Sequence, residues 1–211
     1  DVYKRQIEER MCVRILVVGG TGTIGQAVVS KLSNAHEVIT AGRTSGDVQV
    51  DLTATESIES LFKKVGHVDA IVNASGAATF KLVEDMIPED NLVAVQSKLL
   101  GQINLALIGQ KYLRNHGSIT LTTGVMKDDP IPGGASAALA NGGVAAFVKS
   151  AAIDFTHGIR INCVSPNVLV ESFEQYKESF RGFTPVPVER VATAYVKSVE
   201  GKQTGQEYQI Y

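Results

Sequence analysis

The sequence contains no tryptophan and only two cysteines, and aromatic residues make up 6% of its 211 positions. Cys12 and Cys163 are too few for a disulfide framework, and they have no spacing typical of a metal site. Both lie in apolar, strand-like runs. We therefore expect small buried thiols in a reducing compartment, which indicates a cytoplasmic protein. The four histidines occur in turn-like contexts without metal-ligand spacing, so no metal is predicted.

The chain also lacks a surplus of either charge, since 20 Lys and Arg oppose 22 Asp and Glu, for a net charge of −2. Without a basic cluster, neither nucleic acid nor a membrane surface is an expected partner. No apolar run approaches the roughly 18 residues of a membrane span. Residues 1–10 are polar and without pattern, so we interpret them as a non-native or disordered extension. Residues 11–211 are expected to form one domain with a sizeable core.

Strand-like and helix-like segments alternate through the rest of the chain. Strands are predicted at residues 13–18, 37–40, 48–52, 69–73, 118–122, 160–164 and 207–210. Helices are predicted at residues 26–32, 55–65, 89–114, 135–155, 172–180 and 188–200. This alternation is typical of an α/β fold, a single doubly wound Rossmann-type domain with a mostly parallel sheet. The link between residues 40 and 48 is too short for a full parallel crossover. Either a loop replaces the helix there, or one of the two strands does not form.

The first strand runs into a glycine-rich turn that opens a helix. Residues 19–25 are Gly-Gly-Thr-Gly-Thr-Ile-Gly. Glycine permits the tight turn, leaves room for phosphates and lets helix and strand pack closely. The helix N-terminus adds unpaired N–H groups and a partial positive charge. A glycine turn alone is a weak signal, but in this context it predicts a pyrophosphate site.

Several motifs in order make the chain resemble the short-chain dehydrogenase/reductase family from residue 11 to residue 211. Besides the glycine turn, they are Asp51-Leu52, Asn73-Ala74-Ser75-Gly76, the strand at residues 159–166 and Thr204-Gly205-Gln206. The resemblance implies a nicotinamide dinucleotide cofactor, with Asp51-Leu52 at the adenine ring. The cofactor-binding residues it implies are Gly19, Thr21, Gly22, Thr23, Ile24, Gly25, Asp51, Leu52, Asn73, Ala74, Ser75, Gly76 and Pro166. Thr23 departs from the family pattern, because a glycine usually stands there.

The residues after the second strand bear on the choice of cofactor. An acidic residue there would bind ribose hydroxyls and repel a 2′-phosphate. Here the chain offers Arg43, Thr44 and Ser45, a cation beside two hydroxyls. A guanidinium with hydroxyl donors suits a phosphate, so NADP(H) is predicted over NAD(H). The alternative interpretation of Arg43 is a solvent-facing loop residue.

The acid–base machinery that the resemblance implies is missing. The family uses a tyrosine, a lysine four residues later on one helix, and a serine at the preceding strand end. Alignment of the helix at residues 135–155 puts Ala137 in place of the tyrosine and Asn141 in place of the lysine. The serine position falls at Thr123 or Gly124. Neither alanine nor asparagine can exchange a proton at these two positions.

A lysine occupies a place where the family carries an asparagine. In the long helix, Lys98 stands three residues before Gly101. Our hypothesis is that Lys98 delivers its ammonium to the pocket near Asn141 and Thr123, where it serves as acid, base or anion anchor. These three are the candidate catalytic residues. The alternative is a lysine that extends from a helix face into solvent. Tyr176, in the segment where the family places its substrate lid, is a weaker candidate.

The sequence therefore predicts an NADP(H)-dependent short-chain oxidoreductase with an atypical active site and a small-molecule substrate. A catalytically silent NADP(H)-binding sensor or partner protein is the alternative, and Ala137 favours it. Non-redox chemistry in the same pocket, such as isomerisation or a lyase reaction, also stays open. The resemblance further implies a homodimer or homotetramer, formed through the helix at residues 135–155 and the long helix before it.

Overall fold

The computed structural model describes residues 12–211. Seven strands form one sheet in the order β3-β2-β1-β4-β5-β6-β7, and every neighbouring pair is parallel. The strands are β1 (Arg14–Val18), β2 (Glu37–Gly42), β3 (Val48–Gln49), β4 (Val68–Asn73), β5 (Leu113–Thr122), β6 (Arg160–Pro166) and β7 (Glu207–Ile210). This topology confirms the doubly wound Rossmann-type fold. The predicted extension at residues 1–10 lies outside the described residues.

Helices cover both faces of the sheet. They are α1 (Thr23–Leu32), α2 (Thr55–Val65), α3 (Asp90–Ala94), α4 (Gly101–Gly109), α5 (Ala135–Asp154), α6 (Phe173–Tyr176) and α7 (Val188–Glu200). Helices α2, α4 and α5 bury apolar side chains against one face of the sheet, and α1 and α7 do so against the other. Because both faces are covered, successive residues of β1 are all buried from Ile15 to Val18.

The long helix predicted at residues 89–114 is interrupted. Between α3 and α4, the residues Val95–Leu100 form a π-helical segment. The helical path ends in a 3₁₀ turn at Gln110–Tyr112, and β5 begins directly afterwards at Leu113. The prediction that the helix continues to residue 114 was therefore wrong. Val68 pairs with Leu113, whereas Ala70 pairs with Ser118. Residues 114–117 therefore form a bulge in β5.

One predicted helix and one predicted strand were too long. The helix expected at residues 172–180 is reduced to α6, preceded by a 3₁₀ turn at Val170–Ser172. The strand expected at residues 48–52 is only β3, which has two residues. The parallel pairing of Ala41 with Val48 shows that a loop has replaced the crossover helix between β2 and β3.

The two cysteines differ in their surroundings. Cys163 is fully buried in β6, and burial raises the pKa of its thiol to about 12. Cys12 is exposed, so the expectation that both thiols are buried was wrong. Cys12 lies before the first residue of β1, outside the sheet.

Two helical stretches of the described chain are long and apolar enough to span a membrane by length and composition, contrary to the sequence expectation: Asp90–Tyr112 and Ala135–Asp154. In the fold, α5 packs on β6 and on the π-helical segment, as a core helix does. However, only 33% of the apolar 18-residue segment in Asp90–Tyr112 is buried, and only 39% of that in Ala135–Asp154. The remaining apolarity lies at the surface, where Leu92, Leu100, Leu107 and Leu139 are each exposed.

Candidate cofactor and substrate site

The glycine turn brings the carboxyl ends of β1 and β4 into close contact. Gly19 has a φ of +80°, and a Cβ added to it would lie 2.8 Å from Ser75 Cβ. A Cβ at Gly25 would lie 1.9 Å from the Gly19 carbonyl oxygen, so neither position accepts a side chain. At Gly22, which caps α1, the nearest atom would be 3.5 Å away, and the space before the helix N-terminus stays open. This open cradle fits a phosphate group.

A cleft of about 350 Å³ extends from this turn along the carboxyl ends of β1, β2 and β3. Nine of the predicted cofactor residues line it: Gly19, Thr21, Arg43, Thr44, Ser45, Asp51, Leu52, Ser75 and Gly76. The sequence did not single out the other lining residues, which are Val18, Gly42, Val50, Thr53, Ala77 and Ser97. Most of these adjoin predicted residues along the chain. Ser97 comes from the π-helical segment, so its proximity depends on the packing of that segment, where its hydroxyl accepts the Ala77 N–H.

Other predicted cofactor residues lie beside the cleft. Gly22, Thr23, Gly25, Asn73 and Ala74 are absent from its lining. Asn73 is fully buried, and its amide group shapes the turn after β4. Its Nδ2 donates to the Ser75 carbonyl at 2.9 Å, and its Oδ1 accepts the Ser75 hydroxyl at 2.8 Å. Asn73 therefore supports the cleft without facing it.

The loop that replaces the crossover helix is held by one carboxylate. Asp47 Oδ2 accepts the Thr40 N–H and the Thr40 hydroxyl, each at 2.8 Å, and the Asp47 N–H donates to the Thr40 carbonyl at 2.9 Å. The hydrogen bonds from Thr40 lower the pKa of Asp47. Farther along the loop, the hydroxyls of Ser45 and Thr21 lie 2.9 Å apart. Together these contacts hold Arg43 and Thr44 at the rim of the cleft. Within residues 12–211, the side chains of these two residues form no hydrogen bond.

A second cavity of about 340 Å³ lies at the carboxyl ends of β5 and β6. It includes two of the predicted cofactor residues, Ile24 and Pro166. It also includes the candidate catalytic residues Lys98 and Thr123 and the weaker candidate Tyr176. Its apolar wall is formed by Phe80, Val125, Met126, Val168, Leu169 and Phe180. Gly76 separates the two cavities, since a Cβ added to it would lie 3.0 Å from Lys98 Cγ. Lys98 therefore stands where the two cavities meet.

The π-helical segment sets the position of Lys98. A π-helix leaves backbone groups out of the usual helical ladder, and such segments often occur at functional sites. The Lys98 carbonyl accepts the side-chain amide of Gln102 at 2.7 Å. Gln102 is fully buried and also pairs with both backbone groups of Thr122, each at 2.8 Å. Lys98 is half-buried, and burial lowers the pKa of its ammonium to about 8.

The structure brings Lys98 and Thr123 to one cavity but leaves Asn141 behind its wall. The Thr123 hydroxyl lies 3.2 Å from Glu207 Oε1 and 3.3 Å from the Val164 carbonyl. Both are acceptors, so Thr123 has no free proton for a substrate carbonyl. Asn141 is fully buried, its amide has no hydrogen-bond partner among the described residues, and its Nδ2 lies 3.0 Å from a Cβ built on Gly124. The expectation that Asn141 faces the pocket is therefore not met.

An ion pair behind the cavity went unnoticed in the sequence. Lys127 Nζ lies 2.8 Å from Glu207 Oε1, and both side chains are almost fully buried. Although burial opposes it, hydrogen bonding to Asp128 and Glu207 raises the pKa of Lys127. The pair joins the turn after β5 to β7, which lie far apart in the sequence, so no local pattern could have indicated it.

A doubly wound sheet with a phosphate cradle at the β1 turn and a cleft across its switch point defines a dinucleotide-binding protein. The family profile described as enoyl-(acyl carrier protein) reductase matches residues 17–194. Together with the relatives below, this match shows that the chain belongs to the short-chain dehydrogenase/reductase family. The family is one of oxidoreductases that use a nicotinamide cofactor.

Three relatives illustrate the match. The protein lin1944 from Listeria innocua, known from a crystal structure, is 56% identical in sequence to this chain. The two structures superpose with a TM-score of 0.94, and the match covers 95% of this chain and 100% of that one. A small-chain dehydrogenase in complex with NADPH is 24% identical with a TM-score of 0.83, over 94% of this chain and 96% of that one, which shows the fold alone. Hydroxynaphthalene reductase arp2 from Aspergillus fumigatus is 27% identical over 175 residues, or 72% of this chain.

The chain spans only part of the curated relatives it matches. It covers 64% of the length of the Aspergillus fumigatus reductase and 51% of a similar protein from Metarhizium anisopliae. The match to lin1944 extends over the whole of that chain. The substrates of the longer relatives therefore do not transfer directly to this protein.

The loop held by Asp47 yields a test. We expect Asp47→Ala to weaken NADPH binding several-fold with little loss of thermal stability, because it frees an exposed loop that carries Arg43 without opening the core. Isothermal titration of NADPH, with a thermal melt of the same sample, measures both effects. Asp129→Ala, in an exposed loop outside the cleft, is the matched control. Unchanged NADPH affinity in Asp47→Ala would contradict the positioning role of the carboxylate.

Proposed function

We propose that this protein is an NADP(H)-dependent oxidoreductase that reduces a carbonyl compound, with Lys98 in place of the family's missing tyrosine and lysine. The observation that carries the proposal is the position of Lys98. Its side chain lines the second cavity, against the glycine that borders the cofactor cleft. A proton-donating group is thereby available beside a site for a hydride-donating cofactor.

The preference for NADP(H) rests on Arg43, Thr44 and Ser45. All three line the cleft, and no acidic residue of the described lining lies on this loop. Asp51, which also lines the cleft, accepts hydrogen bonds from the backbone N–H and the hydroxyl of Thr53 at 2.9 and 2.7 Å. These bonds, with a smaller contribution from the charge of Arg43, lower the pKa of Asp51. The loop thus offers a guanidinium and hydroxyls to a 2′-phosphate. The structural neighbour solved with NADPH supports the same assignment.

The cofactor preference predicts the behaviour of an arginine variant. Arg43→Ala removes a charge-assisted hydrogen bond to phosphate that contributes about 1.5–3 kcal/mol, so NADPH affinity should fall by about tenfold or more. NADH has no 2′-phosphate, so its affinity should stay unchanged. Arg190→Ala, at an exposed position outside the cleft, serves as the control in titrations with both cofactors. Equal losses for NADPH and NADH would show that Arg43 does not recognise the phosphate.

The chemistry requires a proton as well as a hydride. When bound, NADPH supplies the hydride that reaches the carbonyl carbon, leaving NADP⁺. The Lys98 ammonium donates a proton to the carbonyl oxygen, so the products are an alcohol and a neutral amine, which solvent reprotonates. A lowered pKa favours this role, because a proton donor works best with a pKa near the ambient pH. Ala137 carries no competing proton donor at the place of the usual tyrosine.

Lys98 predicts both a variant phenotype and a pH profile. Lys98→Met keeps the aliphatic stem and should lower kcat by about 10²-fold or more, with NADPH affinity retained. In the native protein, carbonyl reduction should decline as pH rises through about 8, where the ammonium loses its proton. Alcohol oxidation should rise over the same interval, because it needs the neutral amine.

Two controls make the pH profile specific. Tyr176 is the other titratable side chain in the described lining of the second cavity, so Tyr176→Phe should keep the decline near pH 8. Lys63→Met, at an exposed position on α2, should leave both kcat and the profile unchanged. Unaltered turnover in Lys98→Met, followed by NADPH absorbance, would remove Lys98 from the reaction.

The second candidate function is a silent NADP(H)-binding sensor or partner protein. Ala137 and the engaged hydroxyl of Thr123 favour it, because neither can move a proton to a substrate. A screen of carbonyl and alcohol substrates separates the two functions. Tight NADPH binding without turnover across a broad panel would support the sensor.

The long helices expose an apolar surface that is suited to contact between subunits. Leu92, Leu100 and Leu107 are between 44% and 47% exposed, and Leu139 on α5 is 51% exposed. Such a concentration of exposed leucines is typical of a protein interface. We propose that the protein forms a homodimer or homotetramer through this surface, which sedimentation equilibrium can test.

A further inference from the structure

The second cavity is apolar except for very few side chains that are free to bind a ligand. Asn167 lines it, but its Nδ2 donates to the Thr184 carbonyl at 3.0 Å and its Oδ1 accepts the Val168 N–H at 2.7 Å. The Thr123 hydroxyl is directed to Glu207 and Val164. The Ser172 hydroxyl also lines the cavity and lies 3.5 Å from the Leu169 carbonyl. The polar side chains of the described lining that remain available to a ligand are therefore Lys98, Tyr176 and Ser172.

The charge of this cavity is also unbalanced. Its described lining contains Lys98 and no aspartate, glutamate, arginine or histidine. Glu207, which reaches Thr123 from behind the wall, is already paired with Lys127 at 2.8 Å. A half-buried ammonium beside apolar side chains is more stable when an anion compensates its charge. Since the described residues supply none at this position, a ligand is the remaining source.

The single cation restricts where that anion can sit in the substrate. In the proposed function, on which this inference rests, Lys98 faces the carbonyl oxygen that is reduced. One ammonium can bind a second, anionic oxygen at the same time only if that oxygen is close to the carbonyl. A carboxylate bonded directly to the carbonyl carbon meets this condition, and both oxygens can then accept hydrogen bonds from one ammonium, which has three donors.

The walls and the volume define the rest of the molecule. Phe80, Met126, Val168, Leu169 and Phe180 present apolar or aromatic surface. The cavity volume of about 340 Å³ is at the small end of ligand pockets. A side chain of one ring or a branched alkyl group suits these walls, whereas a short hydrophilic acid would leave them uncovered.

We infer that the substrate is a 2-oxo acid with an apolar side chain, reduced to the 2-hydroxy acid, with Lys98 as the shared anchor for its carboxylate and its carbonyl oxygen. Tyr176 lies at the cavity wall as a further hydroxyl donor for the carboxylate. The specificity of the site then comes from one cation placed among apolar side chains.

Three probes separate the two parts of this substrate. Phenylpyruvate carries the ring and the carboxylate, phenylacetone carries the ring with a methyl group in place of the carboxylate, and pyruvate carries the carboxylate without the ring. Isothermal titration into the full-length protein, with and without saturating NADPH, measures their affinities. We expect phenylpyruvate to bind about tenfold or more tightly than either other probe.

Lys98→Met, with Lys63→Met as control and thermal melts to show that each variant is folded, identifies the source of this preference. Lys98→Met should bind phenylpyruvate and phenylacetone equally and should retain NADPH affinity. The inference fails if wild-type protein binds phenylacetone as tightly as phenylpyruvate. It also fails if Lys98→Met loses NADPH affinity as much as phenylpyruvate affinity, because the ammonium would then serve a cofactor phosphate.

The readouts distinguish this inference from the proposed function. Affinity tests the substrate class, and NADPH oxidation tests the activity. If phenylpyruvate binds through Lys98 but no 2-oxo acid or neutral ketone is reduced, the proposed oxidoreductase activity fails while the ligand class stands. If phenylacetone is bound and reduced as well as phenylpyruvate, the activity stands and the 2-oxo acid assignment is overturned.

Discussion

The parallel pairing of β1 with β4 is the constraint on which the site depends. Because both strands end at the same edge of the sheet, the glycine turn after β1 and the turn after β4 meet there, with Gly19 against Ser75. The chain leaves β1 toward β2 on one side, whereas β4 continues toward β5 on the other. This divergence opens the crevice that becomes the cofactor cleft. The second cavity follows from the same alignment, since β5 and β6 end at that edge too.

Under the proposed function, the protein keeps the cofactor half of a short-chain dehydrogenase and uses an altered catalytic half. In the cofactor half, hydrogen bonds from Asn73 hold the turn after β4, and hydrogen bonds to Asp47 hold the loop that replaces the crossover helix. In the proposed catalytic half, the half-buried Lys98 lies on a π-helical segment, and Ala137 occupies the position that the family resemblance assigns to the tyrosine. An ammonium in an apolar cavity can supply a proton, but it also demands an anion, and this demand links the proposed chemistry to the proposed substrate.

The contacts around Lys98 hold its backbone against β5. The Gln102 side-chain amide donates to the Lys98 carbonyl and also forms hydrogen bonds with both backbone groups of Thr122, at the end of β5. Lys98 is thus tied to the strand that forms the floor of the cavity. A lysine on a regular helix would have no such tie, and its long side chain would be free to extend into solvent.

Sequence patterns determined the order of strands and helices, the phosphate turn and the cofactor loop, because glycine requirements, apolar periodicity and charge are local properties. The helix at Thr55–Val65 and the last strand at Glu207–Ile210 match their predicted bounds for that reason. Tertiary structure alone decided what Thr123, Asn141 and Lys98 face. The Thr123 hydroxyl donates to Glu207, and Gly124 lies between Asn141 and the second cavity. Lys98 lies on a π-helical segment and lines that cavity. Each of these outcomes depends on partners distant in the chain, whose distances and burial no local pattern contains.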